Sequence, residues 1–132
     1  MSEHHGLKWW IIDDDPIART LIRKGLERAM ICDVIREFAS AEEALVAIEN
    51  GELLDSVLIL LDINMPNLNG WEFIDRLREQ RKSAFQKVRI FILSSSIARE
   101  DLKKAQTIPE IEAFLHKPLD VQKLNLAIEP GT

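Results

Sequence analysis

Short, continuous runs of apolar residues recur along the chain, and segments with apolar residues at helical spacing separate them. Three runs are almost wholly apolar: Trp9–Ile12, Val57–Leu61 and Val88–Leu93. Such runs are typical of parallel strands that are covered on both faces of a sheet. Two more polar runs, Ile31–Phe38 and Ile111–Leu115, predict strands at the edges of the sheet, where polar side chains reach water. The pattern therefore predicts five strands.

Capping residues and apolar stripes predict a helix after each strand. Asp15 is placed to cap a first helix, because Pro16 suits a first helical turn. Ser40 followed by Glu43 is a capping box for the second helix. The remaining helices are predicted from about Gly70, from Arg99 to Gln106, and after Asp120 as a cap. In the first helix, the residues expected to face the core are Ile17, Leu21, Leu26 and Ala29.

Strands that alternate with helices predict βαβ units with right-handed crossovers, and hence an α/β fold. The apolar first and third strands belong in the centre of the sheet, and the more polar strands at its edges. A doubly wound, five-stranded parallel sheet of order 2-1-3-4-5, flavodoxin-like and with helices on both faces, satisfies this arrangement. At 132 residues the chain is expected to be one domain, residues 1–132, with residues 1–7 as a flexible tail and Trp9 and Trp10 in the core.

Composition and charge narrow the function classes. Apolar residues make up 46% of the chain and charged residues 30%, as in an ordinary soluble protein, and the net charge is −5. Without a basic face, a nucleic-acid partner is not expected. The chain shows no signal sequence and no apolar run near the ~20 residues that span a bilayer, so no membrane partner is expected. Cys32, the single cysteine, predicts a buried thiol in a reducing cytoplasm.

Four of the predicted strands end in polar residues that suit phosphoryl chemistry: Asp13-Asp14-Asp15, Asp62, Ser94-Ser95-Ser96 and Lys117. Ligands bind at the carboxyl ends of parallel strands, near the switch point between strands one and three, so these tips are expected to form one site. Clustered carboxylates repel one another unless a cation lies among them, and hard oxygen ligands suit Mg²⁺ (or Mn²⁺). Lys117 and a free hydroxyl at Ser94 can then bind phosphoryl oxygens. Asp62 is the predicted nucleophile, which forms an aspartyl phosphate.

Each of these signals alone has an ordinary explanation. An acidic run before a proline can simply cap a helix, and a serine run can fill a loop. Lys117 can be an exposed lysine before a turn. The hypothesis therefore depends on all four signals falling at strand ends that the fold brings together.

The motifs together resemble a response-regulator receiver domain, the phosphoacceptor module of two-component signalling, over nearly the whole chain. The set comprises an acidic pair after strand one, D-x-x-M-P-x-x-x-G around strand three, a serine after strand four and K-P after strand five. The resemblance implies that Asp62 is the phosphoacceptor and that the metal ligands are Asp13, Asp14, Asp62 and the backbone carbonyl of Asn64. It also implies that Ser94 is the switch hydroxyl and that Lys117 is the lysine of the family's K-P motif. Phe114 matches the aromatic residue whose rotamer reports phosphorylation. The resemblance also implies a cis bond between Lys117 and Pro118.

The resemblance further implies a stand-alone, chemotaxis-regulator-like switch with no output domain. A sensor histidine kinase or histidine phosphotransferase would phosphorylate Asp62 with Mg²⁺, and the phosphorylated state would change binding to a downstream protein. Movement of Ser94 would shift the loop to Ala98, the helix from Arg99 and the strand that carries Phe114. The chain would be no enzyme beyond its own phosphorylation and dephosphorylation. It would act in the cytoplasm as a monomer or a weak phosphorylation-dependent dimer.

One departure and two alternatives stay open. The segment Thr107–Ile111 stands where the family often has a Gly-Ala pair, which leaves the local shape of the face beside Phe114 undetermined. One alternative is a haloacid-dehalogenase-type phosphatase, a family that also joins Asp, Mg²⁺ and Lys on an α/β sheet. Pro16 and Ile17 do not continue that family's D-x-D-x-[T/V] motif. The other alternative is a degenerate receiver that only docks to partners.

Overall fold

The chain folds into alternating strands and helices, and the computed structural model describes residues 7–53, 56–80, 88–96 and 98–128. Within these ranges the elements are β1 (Lys8–Ile12), α1 (Pro16–Arg28), β2 (Val34–Phe38), α2 (Ala41–Glu49), β3 (Val57–Leu61), α3 (Gly70–Gln80), β4 (Val88–Ser94), α4 (Arg99–Gln106), β5 (Ile111–His116) and α5 (Val121–Ile128). The strands form one parallel sheet of order β2-β1-β3-β4-β5. The predicted α/β fold, strand order and edge strands are confirmed.

A core layer lies on each face of the sheet, because successive side chains of a strand point to opposite faces. Trp10 and Ile59 belong to the layer that α2 and α3 cover, and Trp9 and Leu60 to the layer that α1 and α5 cover. The indole N–H of Trp9 also donates to the carbonyl oxygen of Ile31 at 2.8 Å, which satisfies its buried polar atom. The two tryptophans are therefore core residues, as predicted.

The first helix turns a different face to the sheet from the one that its pattern predicted. Leu26 is buried and Ala29 partly buried, in agreement with the prediction. Ile17 and Leu21, however, are 69% and 63% exposed, and Ile22 is buried in their place. Ile17 and Leu21 are spaced four residues apart, and so are Ile22 and Leu26. Helical periodicity alone therefore cannot show which of these two pairs faces the sheet.

The packing of α1 against α5 accounts for this rotation. A methyl group on Gly25 would lie only 3.2 Å from the Val121 side chain. The glycine side of α1 therefore faces α5 at close range, and Ile22 and Leu26 turn toward Leu124 in the same core layer. Ile17 and Leu21 are left on the outer surface of the helix.

Three smaller differences concern the segment between α1 and β2 and the residue Leu7 that bonds to it. The second strand begins at Val34 and not at Ile31. Leu7 is anchored, because its carbonyl oxygen accepts the Asp33 backbone N–H at 2.7 Å, while residues 1–6 of the predicted tail lie outside the described residues. Cys32 is partly buried against the core layer that α1 and α5 cover, and not fully buried as predicted.

The predicted capping residues Asp15 and Ser40 bind the first turns of their helices, while the Glu43 carboxylate of the predicted capping box accepts the Ala39 backbone N–H at 3.3 Å. Asp15 accepts the Ile17 backbone N–H at 3.0 Å, and the Ser40 hydroxyl accepts the Glu43 backbone N–H at 3.1 Å. These bonds satisfy N–H groups that the first helical turn leaves without a partner. Among the described helices, none is long and apolar enough to cross a bilayer.

Candidate functional site

The carboxyl ends of β1 and β3 bring three acidic side chains together. The two strands pair in parallel with Ile12 beside Leu61, so Asp13 and Asp62, which follow them, leave the sheet side by side. Carboxylate oxygens of Asp13, Asp14 and Asp62 lie within 4.8 Å of one another. Asp13 and Asp62 are 2% and 6% exposed, whereas Asp14 is open to solvent. The predicted acidic cluster is present, and its hard oxygen atoms fit a Mg²⁺ ion.

Asp62 is buried but keeps two hydrogen-bond partners. Its Oδ1 accepts the Asn64 backbone N–H at 2.9 Å, and its Oδ2 accepts from the Lys117 ammonium at 3.3 Å. Burial raises the pKa of the Asp62 carboxyl and the Asp13 charge adds to the rise, although the Asn64 N–H and Lys117 oppose it. The folded protein therefore holds the ionised carboxylate at a free-energy cost that a bound cation would relieve.

Lys117 joins the two buried carboxylates. Its Nζ lies 2.8 Å from Asp13 Oδ2 and 3.3 Å from Asp62 Oδ2. Burial by itself lowers the pKa of Lys117, but the two carboxylates outweigh that effect and the pKa is raised, so the side chain is an ammonium at neutral pH. The Lys117 backbone N–H donates to the Ser94 carbonyl oxygen at 2.8 Å, and the Lys117–Pro118 bond is cis, as the resemblance implied.

The hydroxyl of Ser94 is not free, contrary to the expectation from the sequence. Ser94 is fully buried at the end of β4. Its Oγ accepts a hydrogen bond from the Asn64 side-chain amide at 2.8 Å and donates to the Ser96 carbonyl oxygen at 2.8 Å. A buried hydroxyl without partners would be costly, and these two neighbours satisfy it. The Asn64 side chain and the Ser96 carbonyl are thus parts of the site that the sequence reasoning missed.

Phe114 lies partly buried on β5, beside α4. It packs on the core layer that α2 and α3 cover, and with Leu102 and Ala105 it lines a cleft of about 240 Å³ between α4 and β5. The start of α4 is tied to α3, because the Trp71 indole N–H donates to Asp101 Oδ1 at 3.1 Å. The side chain of Phe114 therefore borders both the core and an open cleft.

The exposed apolar residues of α1 flank the acidic cluster. Ile17 and Leu21 line a cavity of about 490 Å³, and Lys117 and Pro118 form another part of its wall. Because Lys117 also contacts Asp62, this cavity lies beside the cluster. The sequence reasoning placed both apolar residues in the core and so missed this surface.

Two further residues shape the site without bearing a predicted role. Arg19 Nη1 donates to the Asp13 carbonyl oxygen at 2.7 Å. A methyl group on Gly70 would lie 2.7 Å from the Ile63 Cα and 3.0 Å from the Asp62 carbonyl oxygen, so α3 can begin this close to Asp62 only with glycine. The place of Gly70 in D-x-x-M-P-x-x-x-G was a signal for this contact, whereas Arg19 had none beyond its place on the first helix.

Comparison with known proteins gives one consistent family. The model of the response regulator receiver domain matches residues 10–129. The nitrate/nitrite response regulator NarL of Escherichia coli is 40% identical over 105 residues, which are 80% of this chain and 45% of NarL. The chain thus spans less than half the length of that relative. It covers only 30% of a protein-glutamate methylesterase of Treponema denticola, which is 33% identical.

Solved structures agree with the family match. A two-component response regulator from Cytophaga hutchinsonii has a TM-score of 0.83 and 28% identity, with 91% of this chain and 92% of that chain covered. A response regulator receiver protein from Dyadobacter fermentans has a TM-score of 0.81 and 27% identity, with 92% and 94% covered. The described fold is therefore also found in proteins of this kind.

Proposed function

Because the chain belongs to the response regulator receiver domain family of two-component signalling, we propose that Asp62 is its phosphoacceptor. The observation that carries the proposal is the position of Asp62, whose carboxylate lies within 4.8 Å of those of Asp13 and Asp14 and 3.3 Å from the Lys117 ammonium. A carboxylate so placed can act as a nucleophile toward phosphorus, because the Lys117 ammonium can stabilise the negative charge of the phosphoryl oxygens. The family is a signalling family and not one of classical enzymes.

Mg²⁺ (or Mn²⁺) is proposed to bind through Asp14, Asp62 and the backbone carbonyl of Asn64. Asp13 is proposed to act mainly through water, since its Oδ2 is already paired with Lys117 at 2.8 Å and its Oδ1 accepts the Asp15 backbone N–H at 2.9 Å. When bound, the cation offsets negative charge on the phosphoryl oxygens during transfer. The donor set fits this ion, because it offers only oxygen ligands and is partly open to water.

In the proposed reaction, an oxygen of Asp62 attacks the phosphorus of a phosphohistidine. The O–P bond forms as the P–N bond breaks, and the departing imidazole takes up a proton. Lys117 supplies a fixed positive charge at the reacting carboxylate, which is 3.3 Å from its Nζ. Hydrolysis of the acyl phosphate by water later returns Asp62 to a carboxylate and releases inorganic phosphate.

The phosphoryl donor is proposed to be a sensor histidine kinase or a histidine phosphotransferase that docks on α1. Ile17 and Leu21 present apolar side chains to solvent, and such exposed pairs favour a protein partner. They line the same cavity as Lys117, so a partner seated there would bring its histidine to the edge of the acidic cluster. The chain is proposed to act in the cytoplasm, as a monomer or a weak phosphorylation-dependent dimer.

The proposed output is a change in what the β4–β5 side of the protein binds. Ser94 has one hydroxyl proton, and it is donated to the Ser96 carbonyl. To bind a phosphoryl oxygen on Asp62, the hydroxyl must leave Ser96, which releases the segment that leads into α4. That movement is proposed to reach Phe114, which borders the cleft between α4 and β5. A downstream protein that prefers this second state completes the switch.

Of the alternatives, the haloacid-dehalogenase-type phosphatase is not favoured, since the receiver-domain match covers residues 10–129. Phosphorylation itself distinguishes the proposed function from the second alternative, a degenerate receiver that only docks to partners. Acetyl phosphate with Mg²⁺ should raise the intact mass of the protein by one phosphoryl group, and chelation of the metal should prevent it. Asp62→Asn should show no such rise. A rise that persists in Asp62→Asn would mean another acceptor, and no rise in the parent would favour the docking alternative.

A further inference from the structure

Arg19 lies one turn inside α1 and reaches back to the end of β1. Its Nη1 donates to the Asp13 carbonyl oxygen at 2.7 Å, and its side chain is only 17% exposed. That carbonyl belongs to the peptide group that links Asp13 to Asp14. One guanidinium therefore holds the piece of backbone from which two members of the acidic cluster extend.

The guanidinium of Arg19 is itself fixed by β2. Its Nε donates to Glu37 Oε1 at 3.1 Å, and Arg23, one turn further along α1, pairs with the other oxygen of Glu37. Glu37 lies opposite Ile11 of β1 in the sheet register. Because a guanidinium is planar and its donors have fixed directions, the two bonds of Arg19 set its orientation relative to the sheet.

The backbone of Asp13 is held on both sides as a result. Its N–H donates to the Phe38 carbonyl oxygen at 3.2 Å, while its carbonyl accepts from Arg19. The Asp14 side chain is open to solvent, so the backbone that Arg19 fixes, and not packing, decides where it points. A shift of the Asp13–Asp14 peptide would move Asp14 away from Asp62.

We propose that Arg19 is a positioning residue for the divalent cation, acting through the Asp13–Asp14 peptide and supported by Glu37. The inference rests on the proposed function, since it concerns the metal of the phosphoryl-transfer site. Outer groups that orient metal ligands typically change metal affinity about 10- to 100-fold when they are removed.

The charge of Arg19 and its positioning role predict opposite changes in the affinity for the divalent cation when Arg19 is replaced. A positive charge beside an acidic cluster repels a cation, so removal of the charge alone would tighten metal binding. Loss of the fixed peptide would weaken it. The sign of the change in dissociation constant therefore separates the two effects, and a control variant is needed to identify any weakening that comes from a general loss of stability.

The test compares Arg19→Gln with the matched control Arg23→Gln, which removes a positive charge that also pairs with Glu37 but does not touch Asp13. Calorimetric titration of the full chain with Mg²⁺ and Mn²⁺ should give a dissociation constant at least about 10-fold weaker for Arg19→Gln. Arg23→Gln should stay within about 2-fold of the parent. In the metal-free protein, amide exchange of Asp14 and Asp15 should rise in Arg19→Gln and not in the control.

Arg19→Lys keeps the charge but cannot bridge Asp13 and Glu37 with one planar group, so it should also weaken binding, and it serves if Arg19→Gln does not fold. Unchanged or tighter binding in a folded Arg19 variant would overturn this inference and leave the proposed function standing. Equal weakening in Arg19→Gln and Arg23→Gln would also overturn it, since the ion pairs would then act only on the fold. A parent protein that binds neither cation would instead overturn the proposed function.

Discussion

The two flanks of Asp62 are held by different kinds of contact. The β1 flank comprises Asp13, Asp14, Arg19 and Glu37, with Lys117 linking it to Asp62, and each of its bonds involves at least one charged side chain. The β4 flank comprises Asn64, Ser94 and Ser96, and its two hydrogen bonds at 2.8 Å join neutral groups. Each flank has one buried residue, Asp13 on the β1 side and Ser94 on the β4 side, together with residues that reach solvent. The contrast between the flanks therefore lies in their chemistry.

This contrast explains how one small site can both receive and transmit a signal. To remove one partner of a buried charged pair leaves an uncompensated charge and is strongly unfavourable, so the β1 flank resists rearrangement. A neutral hydrogen bond contributes only about 1 kcal/mol net and can be exchanged for another. The β1 flank is suited to holding a fixed cation and the β4 flank to changing partners when Asp62 gains new oxygen atoms.

The largest effect is expected from Lys117, the one described side chain that pairs with both Asp13 and Asp62. Lys117→Ala should slow phosphorylation by acetyl phosphate by about 10²- to 10³-fold, the scale for removal of one charge-stabilising donor. Lys123→Ala, at an exposed position of α5, is the matched control. Rates follow from intact mass against time. A rate unchanged in Lys117→Ala would mean that the link between the flanks has no part in the transfer.

The next largest effect is expected from Ser94→Ala, which should distinguish the function of the β4 flank from that of the β1 flank. The variant should fold and accept phosphate but lose phosphate-dependent partner binding. For phosphorylation to act as a switch, a partner need bind the phosphorylated state only ~100-fold better, or about 2.7 kcal/mol. Phosphorylation should then no longer change amide exchange in Arg99–Gln106. If that response survives in Ser94→Ala, the β4 flank does not transmit through this hydroxyl.

A smaller effect is expected from Leu21→Asp on the exposed face of α1. Transfer from a phosphorylated histidine donor should fall about 10-fold, because a charge replaces an apolar contact of the partner. Phosphorylation by acetyl phosphate should be unchanged, since Leu21 has no part in the chemistry. Val46→Asp, also at an exposed apolar position but on α2, should alter neither rate. Equal losses with both donors would move the effect from docking to the site itself.

The pH dependence of stability gives the smallest effect. Burial raises the pKa of Asp62 above its unfolded value, so the folded state favours the protonated form. The stabilising contribution is therefore present below the unfolded pKa, about 3.9, and is lost as the pH rises through the folded pKa. In metal-free buffer at neutral pH, Asp62→Asn should be more stable than the parent, and its advantage should shrink as the pH falls. Urea unfolding at several pH values measures this, and an advantage that grows on acidification would contradict the account.

Much of the fold could be predicted because strand polarity and helix caps are local signals. Val57–Leu61 is apolar throughout and ends at Asp62, and the parallel sheet then brings Asp13 beside it. The side-chain partners could not be predicted, since they depend on how elements pack. The assignment of Leu21 to the core was wrong, because contact with α5 sets the rotation of α1 and the helical pattern does not show that contact.

The hydrogen bonds of Ser94 show the same limit at the site. A serine at the end of a strand predicts a hydroxyl near its neighbours, but the pattern cannot say that Asn64 and Ser96 already occupy it. Arg19 reaches from α1 back to the carbonyl of Asp13, the residue that follows β1. Such contacts across elements emerge only once the three-dimensional arrangement is known.

The division between a fixed flank and a changing flank is tested most directly by amide NMR of the protein before and after phosphorylation with acetyl phosphate and Mg²⁺. Against a reference that already contains Mg²⁺, the changes should extend from Asp62 through Ser94 and Ser96 to Arg99–Gln106 and Phe114. The signals of Arg19 and Glu37 should stay nearly in place. Changes confined to the immediate neighbours of Asp62, or equally large on the β1 flank, would contradict the account.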